Sequence, residues 1–150
     1  MKRYHIQHKP YIKLRIIATL IDYGIYFFLL FVYIAFIGHE TEEGAIMVEG
    51  MAALPLFLVW FLYFVLLEGI NQATPGHDIV KLKVIKTSGE KIGLGNAFKR
   101  RIIDVIDLGM YGLPAIICIN KTTKHQRIGD LFADTLVVKQ SDITEEEIIF

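Results

Sequence analysis

Two long stretches of the chain carry almost no charge, and this constrains the fold more than any other feature. Residues 50–67 form an 18-residue run without a charged side chain. Residues 23–38 form a second run of 16, and only Asp22 separates it from the apolar segment 16–21. A helix rises about 1.5 Å per residue, so a bilayer core of about 30 Å needs about 20 mostly apolar residues. Both stretches therefore predict transmembrane helices.

The charged residues are segregated along the chain, although 16 basic and 16 acidic side chains give no net charge. Residues 1–15 carry five Lys or Arg and no acid, whereas residues 39–49 carry four Glu and no Lys or Arg. Residues 68–101 carry seven Lys or Arg against three acids. Because positive residues stay on the cytoplasmic side, the pattern predicts a multi-pass membrane protein with a cytoplasmic N-terminus. The zero net charge argues against a nucleic-acid partner.

The third apolar stretch, residues 102–119, differs from the first two. Asp104 and Asp107 lie near its start, and the segment that follows it, residues 121–139, carries four Lys or Arg. A simple third span would put those positive charges outside, whereas a broken, re-entrant element would keep them inside. Both alternatives remain open, and the charges favour the re-entrant one. Three residues that break helices interrupt the middle of the stretch: Gly109, Gly112 and Pro114.

Between the apolar stretches the pattern changes to that of β-strands. Residues 79–86 alternate Lys with apolar side chains, residues 87–90 have a turn composition, and residues 136–139 resemble the first strand. A small cytoplasmic β-hairpin or sheet is expected there. The acidic end, residues 140–150, is expected to be a mobile tail or short helix. The fold class is therefore an all-α membrane protein of one domain, residues 1–150, with two spans, a third broken element and a small sheet.

The first predicted helix carries two charged residues on one face. Arg15 and Asp22 lie seven residues apart, which is about two helical turns, and Thr19 and Tyr26 share that face. An ionisable residue within a span is costly, usually faces the interior of the protein and usually has a partner. Asp22 is therefore either a structural residue that fixes this helix against a neighbour or an ion or proton site. An uncleaved helix is expected, because its apolar run is too long for a signal peptide.

Two further groups of charged residues show helical spacing. Arg127 and Asp130, three residues apart, are also typical of a solvated helix end. The other group either contacts anionic lipid headgroups while forming local ion pairs, or lets Arg101 reach Asp22 and neutralise it. Its members lie three or four residues apart: Arg100, Arg101, Asp104 and Asp107.

These residues, taken in order, resemble the RDD family of small bacterial membrane proteins, which is named for one arginine and two aspartates. The resemblance covers about residues 11–139 and implies a multi-helix protein of the bacterial inner membrane, with cation or proton exchange proposed for some members. His77 stands where the family usually has Lys, and Asp134 where it usually has Gly. The matching motifs are Arg15 and Asp22 in LRIIATLID, the turn Thr74, Pro75 and Gly76, the segment LKVIKTSGEKIGL, an arginine at Arg100 or Arg101, and Asp130 in GDLFADTLVV.

The resemblance implies that Arg15, Asp22 and Asp130 are the named triad. The first functional hypothesis is a cation- or proton-coupled transporter subunit. Two spans and a broken third element are too few to enclose a transport pathway, so this hypothesis requires a homo-oligomer of at least two copies. The second is a non-transporting adaptor that binds lipid or a partner protein. Its binding region would be basic and cytoplasmic: Lys81, Lys83, Lys86 and Lys91. No nucleophile–base pair, metal motif or cofactor motif is evident, so neither an enzyme nor a bound metal or cofactor is expected.

Overall fold

The computed structural model describes residues 2–6 and 8–147, and this part of the chain contains six helices, a 3-10 turn at Gln140–Asp142 and three two-stranded antiparallel sheets. We number the elements in chain order. The helices are α1 (Ile12–Ile37), α2 (Gly50–Asn71), α3 (Pro75–Ile79), α4 (Leu94–Asp107), α5 (Gly109–Lys121) and α6 (Ile128–Ala133). The strands are β1 (Lys2–Ile6), β2 (His39–Glu40), β3 (Ile46–Met47), β4 (Leu82–Lys86), β5 (Thr135–Lys139) and β6 (Ile143–Glu147).

The first two helices are long and apolar enough to cross a membrane, which confirms the two predicted transmembrane helices. On α1 the buried residues are Arg15, Ala18 and Asp22, all on one side. Large apolar side chains point outward instead, and Phe28 and Phe31 are 65% and 71% exposed. A soluble helix places its apolar face inward. The reversed arrangement on α1 is that of a helix surrounded by lipid.

Helix α2 changes its hydrogen-bonding pattern along its length. It begins with a 3-10 turn at Gly50–Ala53, and its centre, Phe61–Leu66, is a π-helix. Three successive residues of this wider segment are buried, among them Tyr63 and Phe64. The ring of Phe64 lies 4.9 Å from that of Tyr23 on α1, centroid to centroid. The π-helical segment therefore brings aromatic side chains against the face of α1 that carries the buried charges.

Helices α4 and α5 form the broken third element that the sequence predicts. Their axes differ by 99° across a short break. Gly112 has a φ of 81° at this break, and Met110 and Tyr111 also adopt positive φ. A positive φ is easily adopted by glycine and ends a regular helix, so the chain turns here. Helix α4 starts at Leu94, earlier than the apolar stretch itself.

The predicted small sheet is confirmed by the pairing of β4 with β5. The two strands are antiparallel, with Leu82 opposite Lys139 and Val84 opposite Val137. The apolar side chains of this sheet pack against α2 and α4 and form the main core of the described residues. Its buried members are Val65, Leu82, Val84, Ile92, Ala97 and Val137.

The acidic end of the chain departs from its prediction. Residues 143–147 form β6, which pairs with β1, with Ile6 opposite Ile143 and Lys2 opposite Glu147. The expectation of a mobile tail or short helix is therefore wrong for these residues, and residues 148–150 lie outside the described part. The chain that follows β5 lies next to the N-terminal strand β1, so the backbone N–H and C=O groups of β1 have hydrogen-bond partners in β6. Asp142 also accepts a hydrogen bond of 2.5 Å from the Tyr11 hydroxyl.

Candidate functional site

Asp22 lies at the centre of a buried polar site between α1, α2 and α3. Its carboxylate accepts hydrogen bonds from the Thr74 hydroxyl at 2.5 Å, the Gly76 backbone N–H at 2.7 Å and the Tyr63 hydroxyl at 3.2 Å. The Nδ1 atom of His77 lies 3.3 Å from Asp22 Oδ2. Asp22 itself is 1% exposed. We call Asp22, Tyr63, Thr74, Gly76 and His77 the Asp22 site.

The Thr74-Pro75-Gly76 turn is the start of helix α3, and this explains its composition. Thr74 has the extended backbone of an N-cap, and Pro75 occupies the first helical position, where no N–H is needed. The Thr74 hydroxyl does not cap its own helix, because it donates to Asp22. Asp22 accepts the free Gly76 N–H instead. A Cβ on Gly76 would lie 2.8 Å from the Asp22 carboxyl carbon, so only glycine permits this approach.

His77 connects the Asp22 site to its surroundings. Its Nδ1 lies 2.9 Å from the Thr74 hydroxyl oxygen. Because the Thr74 proton is donated to Asp22, Nδ1 of His77 must carry the proton in its contact with Thr74. Burial lowers the pKa of His77, and the nearby cations Arg100 and Arg101 lower it further, against the opposing effect of Asp22. His77 is therefore neutral near pH 7.

A second buried cluster lies beside the Asp22 site, and we call it the charge network. It consists of equal numbers of positive and negative side chains, so its formal charge is zero. Ion pairs in a low-dielectric interior are stable only when charges are matched and hydrogen-bonded. Its eight members are all buried: Arg15, Arg100, Arg101, Arg127, Glu68, Asp104, Asp107 and Asp130.

Asp130 is the point where three parts of the chain meet in this network. Arg15 of α1 donates from Nη1 to Asp130 Oδ2 at 3.0 Å, and Arg100 of α4 donates from Nε to Oδ1 at 2.5 Å. The backbone N–H of Arg127 donates to Oδ2 at 3.2 Å. Burial opposes ionisation of Asp130, but the guanidinium groups of Arg100, Arg15 and Arg127 outweigh it and lower the pKa of the carboxyl group. Asp130 is therefore an anion that ties α1 to α4 and α6.

The rest of the network extends from Glu68 to Asp107. Glu68 Oε2 accepts hydrogen bonds from Arg100 Nη1 at 2.7 Å and from Arg101. Arg101 Nη1 also donates to Asp104 Oδ2 at 3.0 Å, and Arg127 Nη2 lies 2.7 Å from Asp104 Oδ1.

Asp107 caps the short helix α6. It accepts the backbone N–H groups of Ile128 and Gly129 at 3.0 and 2.8 Å.

The structure gives the two charged residues of α1 different partners. Arg15 and Asp22 are both buried on one face of α1, but Arg15 contacts Asp130 and the carbonyl of His125, not Asp22. The hypothesis that Arg101 neutralises Asp22 is wrong, because Arg101 binds Glu68 and Asp104. The physical reason is that α3 lies against α1, so the carboxylate of Asp22 accepts hydrogen bonds from the Thr74 hydroxyl and the Gly76 N–H, which are neutral donors.

Two interpretations of exposed charge are also corrected. Arg100 and Arg101 are only 1% and 4% exposed, so they do not lie on the headgroup layer. The local ion pair expected in that stripe does form, between Arg101 and Asp104. Arg127 and Asp130 are buried as well and are not a solvated helix end. Beside such local pairs, each of these residues also has a countercharge on an element distant in sequence, as Arg100 and Arg101 have in Glu68 of α2.

Two members of these clusters were not singled out from the sequence. Glu68 is the first charge after the uncharged run 50–67, a position at the end of a span that marks a residue facing other helices. Tyr63 lies within the same run and carried no signal, because its hydroxyl finds Asp22 only through the π-helical segment of α2. Among the described residues, no group of three or more His, Cys, Asp or Glu is placed to hold a metal ion.

A cavity of about 350 Å³ lies next to both clusters. It is bounded by the first turns of α1 and by α5, and Arg15, His77, Arg100 and Arg127 line it together with apolar side chains. His77 therefore faces the cavity on one side and Asp22 on the other.

Apolar helices that present hydrophobic side chains outward and enclose a charge-balanced Arg/Asp cluster define a membrane protein with a polar interior. A comparison with protein families matches the RDD family over residues 10–134. The chain belongs to the RDD family. Comparisons with curated proteins and with solved structures give no significant match.

The two residues at which the sequence departs from the motif that the resemblance implies have clear structural settings. His77 meets Asp22 through Nδ1. Asp134 ends α6 with a φ of 55°, a left-handed conformation that glycine adopts most readily. Asp134 adopts this left-handed conformation, and its carboxylate accepts a hydrogen bond of 2.6 Å from the Thr87 hydroxyl.

Proposed function

We propose that this chain is a multi-pass protein of the bacterial inner membrane and the subunit of a cation- or proton-coupled transporter. The observation that supports this is the difference between its buried carboxylates. Within the described residues, every carboxylate of the charge network lies within ion-pair distance of an arginine, whereas Asp22 is held by neutral donors and His77. A carboxylate without a fixed cation can change its charge at the lowest cost.

The proposed cycle uses the Asp22–His77 pair. A proton that enters the cavity reaches His77, which lines it, and passes to Asp22 across a distance of 3.3 Å. Proton uptake changes the charge of the pair from minus one to zero. When Asp22 is deprotonated, its carboxylate and the hydroxyl oxygens of Thr74 and Tyr63 bind a small cation. Oxygen is the ligand type that hard cations prefer. Arg15 and Asp130 belong to the rigid network that holds α1 in place.

The transporter is proposed to work as a homo-oligomer. Two spanning helices and one bent helix pair are too few to enclose a transport pathway across the bilayer. The second half of α1 leaves Phe31 and Phe36 71% and 83% exposed, an apolar surface that fits either lipid or a second copy.

Proton flux in proteoliposomes made with the purified full chain tests this proposal. The variant Asp22→Asn keeps the size of the side chain and removes its titratable charge, so we expect cation-dependent proton flux to be lost. Asp78→Asn is the matched control, because Asp78 is an exposed carboxylate outside the site that pairs with Lys83. Equal flux from wild type and Asp22→Asn would overturn the mechanism. A monodisperse elution profile in detergent shows that each variant is folded.

A second candidate is the non-transporting adaptor, and the neutral, fully matched charge network favours it because such a network needs no transport role. Its docking region would be the sheet surface, where Lys81 and Lys91 are exposed, while Lys83 and Lys86 pair with Asp78 and Glu90. This account predicts no flux from the wild type and a lower Tm for Asp22→Asn. Neither candidate involves catalysis, and we expect no enzymatic activity.

A further inference from the structure

The cavity beside the two clusters has one charged end, and its other walls are apolar except for Thr19. Arg15, Arg100, Arg127 and His77 line this end. Most of the remaining wall consists of aliphatic side chains of α1 and of the bent pair α4–α5: Ile12, Ile16, Leu20, Leu108, Ile116 and Ile119. A cavity of about 350 Å³ with this lining is large enough for a small ligand.

The charged end is cationic even though the charge network as a whole is neutral. Three of its four arginines line the cavity, and none of its four carboxylates does. Each of these three arginines pairs with a carboxylate whose residue does not line the cavity. The Nε atom of Arg15 is buried and has no hydrogen-bond acceptor within the part of the chain that the structure describes. A buried donor without an acceptor is costly, and an anionic oxygen in the cavity would satisfy it.

The other end of the cavity meets the apolar surface of the protein. Leu20 on α1 is 69% exposed, and Tyr111 at the α4–α5 break is fully exposed. In a membrane protein these side chains contact hydrocarbon. The cavity therefore runs from apolar surroundings at Leu20 and Tyr111 to buried cations at Arg15 and Arg127.

We infer that this cavity binds an anionic amphiphile, with its acidic head at Arg15 and Arg127 and its hydrocarbon chain along Ile16 and Leu20. Guanidinium groups bind carboxylate and phosphate oxygens through paired, charge-assisted hydrogen bonds. Basic pockets between membrane helices bind acidic lipid headgroups for the same reason. A fatty acid and an anionic phospholipid share this chemistry. The inference concerns binding and does not depend on proton flux.

Ligand binding to the purified full chain in detergent, measured by native mass spectrometry, tests the charge requirement. Oleate is compared with oleyl alcohol, and phosphatidylglycerol with phosphatidylcholine. We expect at least one anionic member to bind about tenfold more tightly than its uncharged or zwitterionic counterpart. Tight binding of oleate identifies a fatty acid, and tight binding of phosphatidylglycerol identifies a lipid headgroup. Equal binding within both pairs would overturn the inference, as would inorganic phosphate binding as tightly as the amphiphiles.

Variants that fill the cavity test its location without altering the charge network. Ala115 lines the cavity, so Ala115→Phe is expected to weaken binding by about tenfold. Ala35→Phe is the matched control, because Ala35 is exposed on α1 away from the cavity. A second pair uses neighbouring residues: Ile116 lines the cavity and Ile117 does not, so Ile116→Trp weakens binding and Ile117→Trp leaves it unchanged. Wild-type affinity in the folded cavity-filling variants would overturn the assignment.

Discussion

His77 and Asp22 differ from the other buried ionisable residues in what surrounds them. Each arginine of the charge network has a carboxylate within ion-pair distance, and breaking such a buried pair typically costs about 3–5 kcal/mol. His77 instead faces Asp22 of α1, Glu68 of α2 and two arginines of α4, Arg100 and Arg101. Burial and these arginines lower its pKa. The protonation of His77 therefore makes stability depend on pH below its unfolded pKa of about 6.5.

We predict that acidification below neutral pH destabilises the protein through His77. Because the folded-state pKa is below the unfolded value of about 6.5, the unfolded chain binds more protons as the pH falls. The free energy of unfolding should therefore decrease between about pH 7 and about pH 5. Thermal unfolding in detergent measures this dependence. In His77→Gln the slope of Tm against pH over this range should be markedly smaller.

The control for this prediction is His39→Gln, because His39 is exposed in the hairpin between α1 and α2 and should leave the slope unchanged. Asp130 does not interfere, since its lowered pKa affects stability only below about pH 4. A His77→Gln variant with the wild-type slope would contradict the assignment of the pH dependence to this residue.

At the scale of elements, two short helices are held in the same way. Helices α3 and α6 each begin beside a carboxylate that belongs to a long helix. Asp22 of α1 accepts the Gly76 N–H, and Asp107 of α4 accepts the Ile128 and Gly129 N–H groups. Negative charge is favourable at a helix N-terminus, and the free N–H groups there need acceptors. The aspartates thus fasten the connecting segments to the membrane helices.

Gly129 should be intolerant of any side chain because of this arrangement. A Cβ there would lie 2.8 Å from the Arg100 carbonyl oxygen and 2.9 Å from Asp107 Oδ2. We predict that Gly129→Ala lowers the free energy of unfolding by about 1–3 kcal/mol, measured by denaturant unfolding in detergent. Gly95→Ala is the control, because nothing lies within 4 Å of its added Cβ and alanine favours a helix by about 0.5–1 kcal/mol. Similar destabilisation by both variants would refute the close-contact explanation.

The sequence predicts those parts of the fold that depend on local pattern. The uncharged runs locate α1 and α2, the breakers around Gly112 locate the α4–α5 bend, and the Lys/apolar alternation locates β4. Partner choice in the polar interior is not local. Arg15 and Asp130 are 115 residues apart, and no spacing rule distinguishes that pairing from Arg15 with Asp22. Strand β6 was missed because its acidic composition is unusual for a strand and its pairing depends on the distant N-terminus.

At the scale of the whole molecule, strand pairing restricts how the chain crosses the bilayer. Strands β4 and β5 flank the bent pair α4–α5 in sequence and are hydrogen-bonded to each other. A net crossing by the bent pair would place these strands on opposite sides of the membrane. Strands β1 and β6, which precede α1 and follow α5, also pair. Both pairings are compatible with two crossings by α1 and α2 and a bent pair that enters and leaves on one side.

We predict that the segment after α5 lies on the cytoplasmic side, with the N-terminus. The single native cysteine, Cys118, is replaced by alanine, and one cysteine is then introduced at Lys124 or at Glu43, both exposed positions. A membrane-impermeant maleimide added to intact cells should label Glu43→Cys and not Lys124→Cys, and both should be labelled after permeabilisation. Labelling of Lys124→Cys in intact cells would show that the bent pair crosses the bilayer and that β4 and β5 do not pair in the membrane-inserted protein.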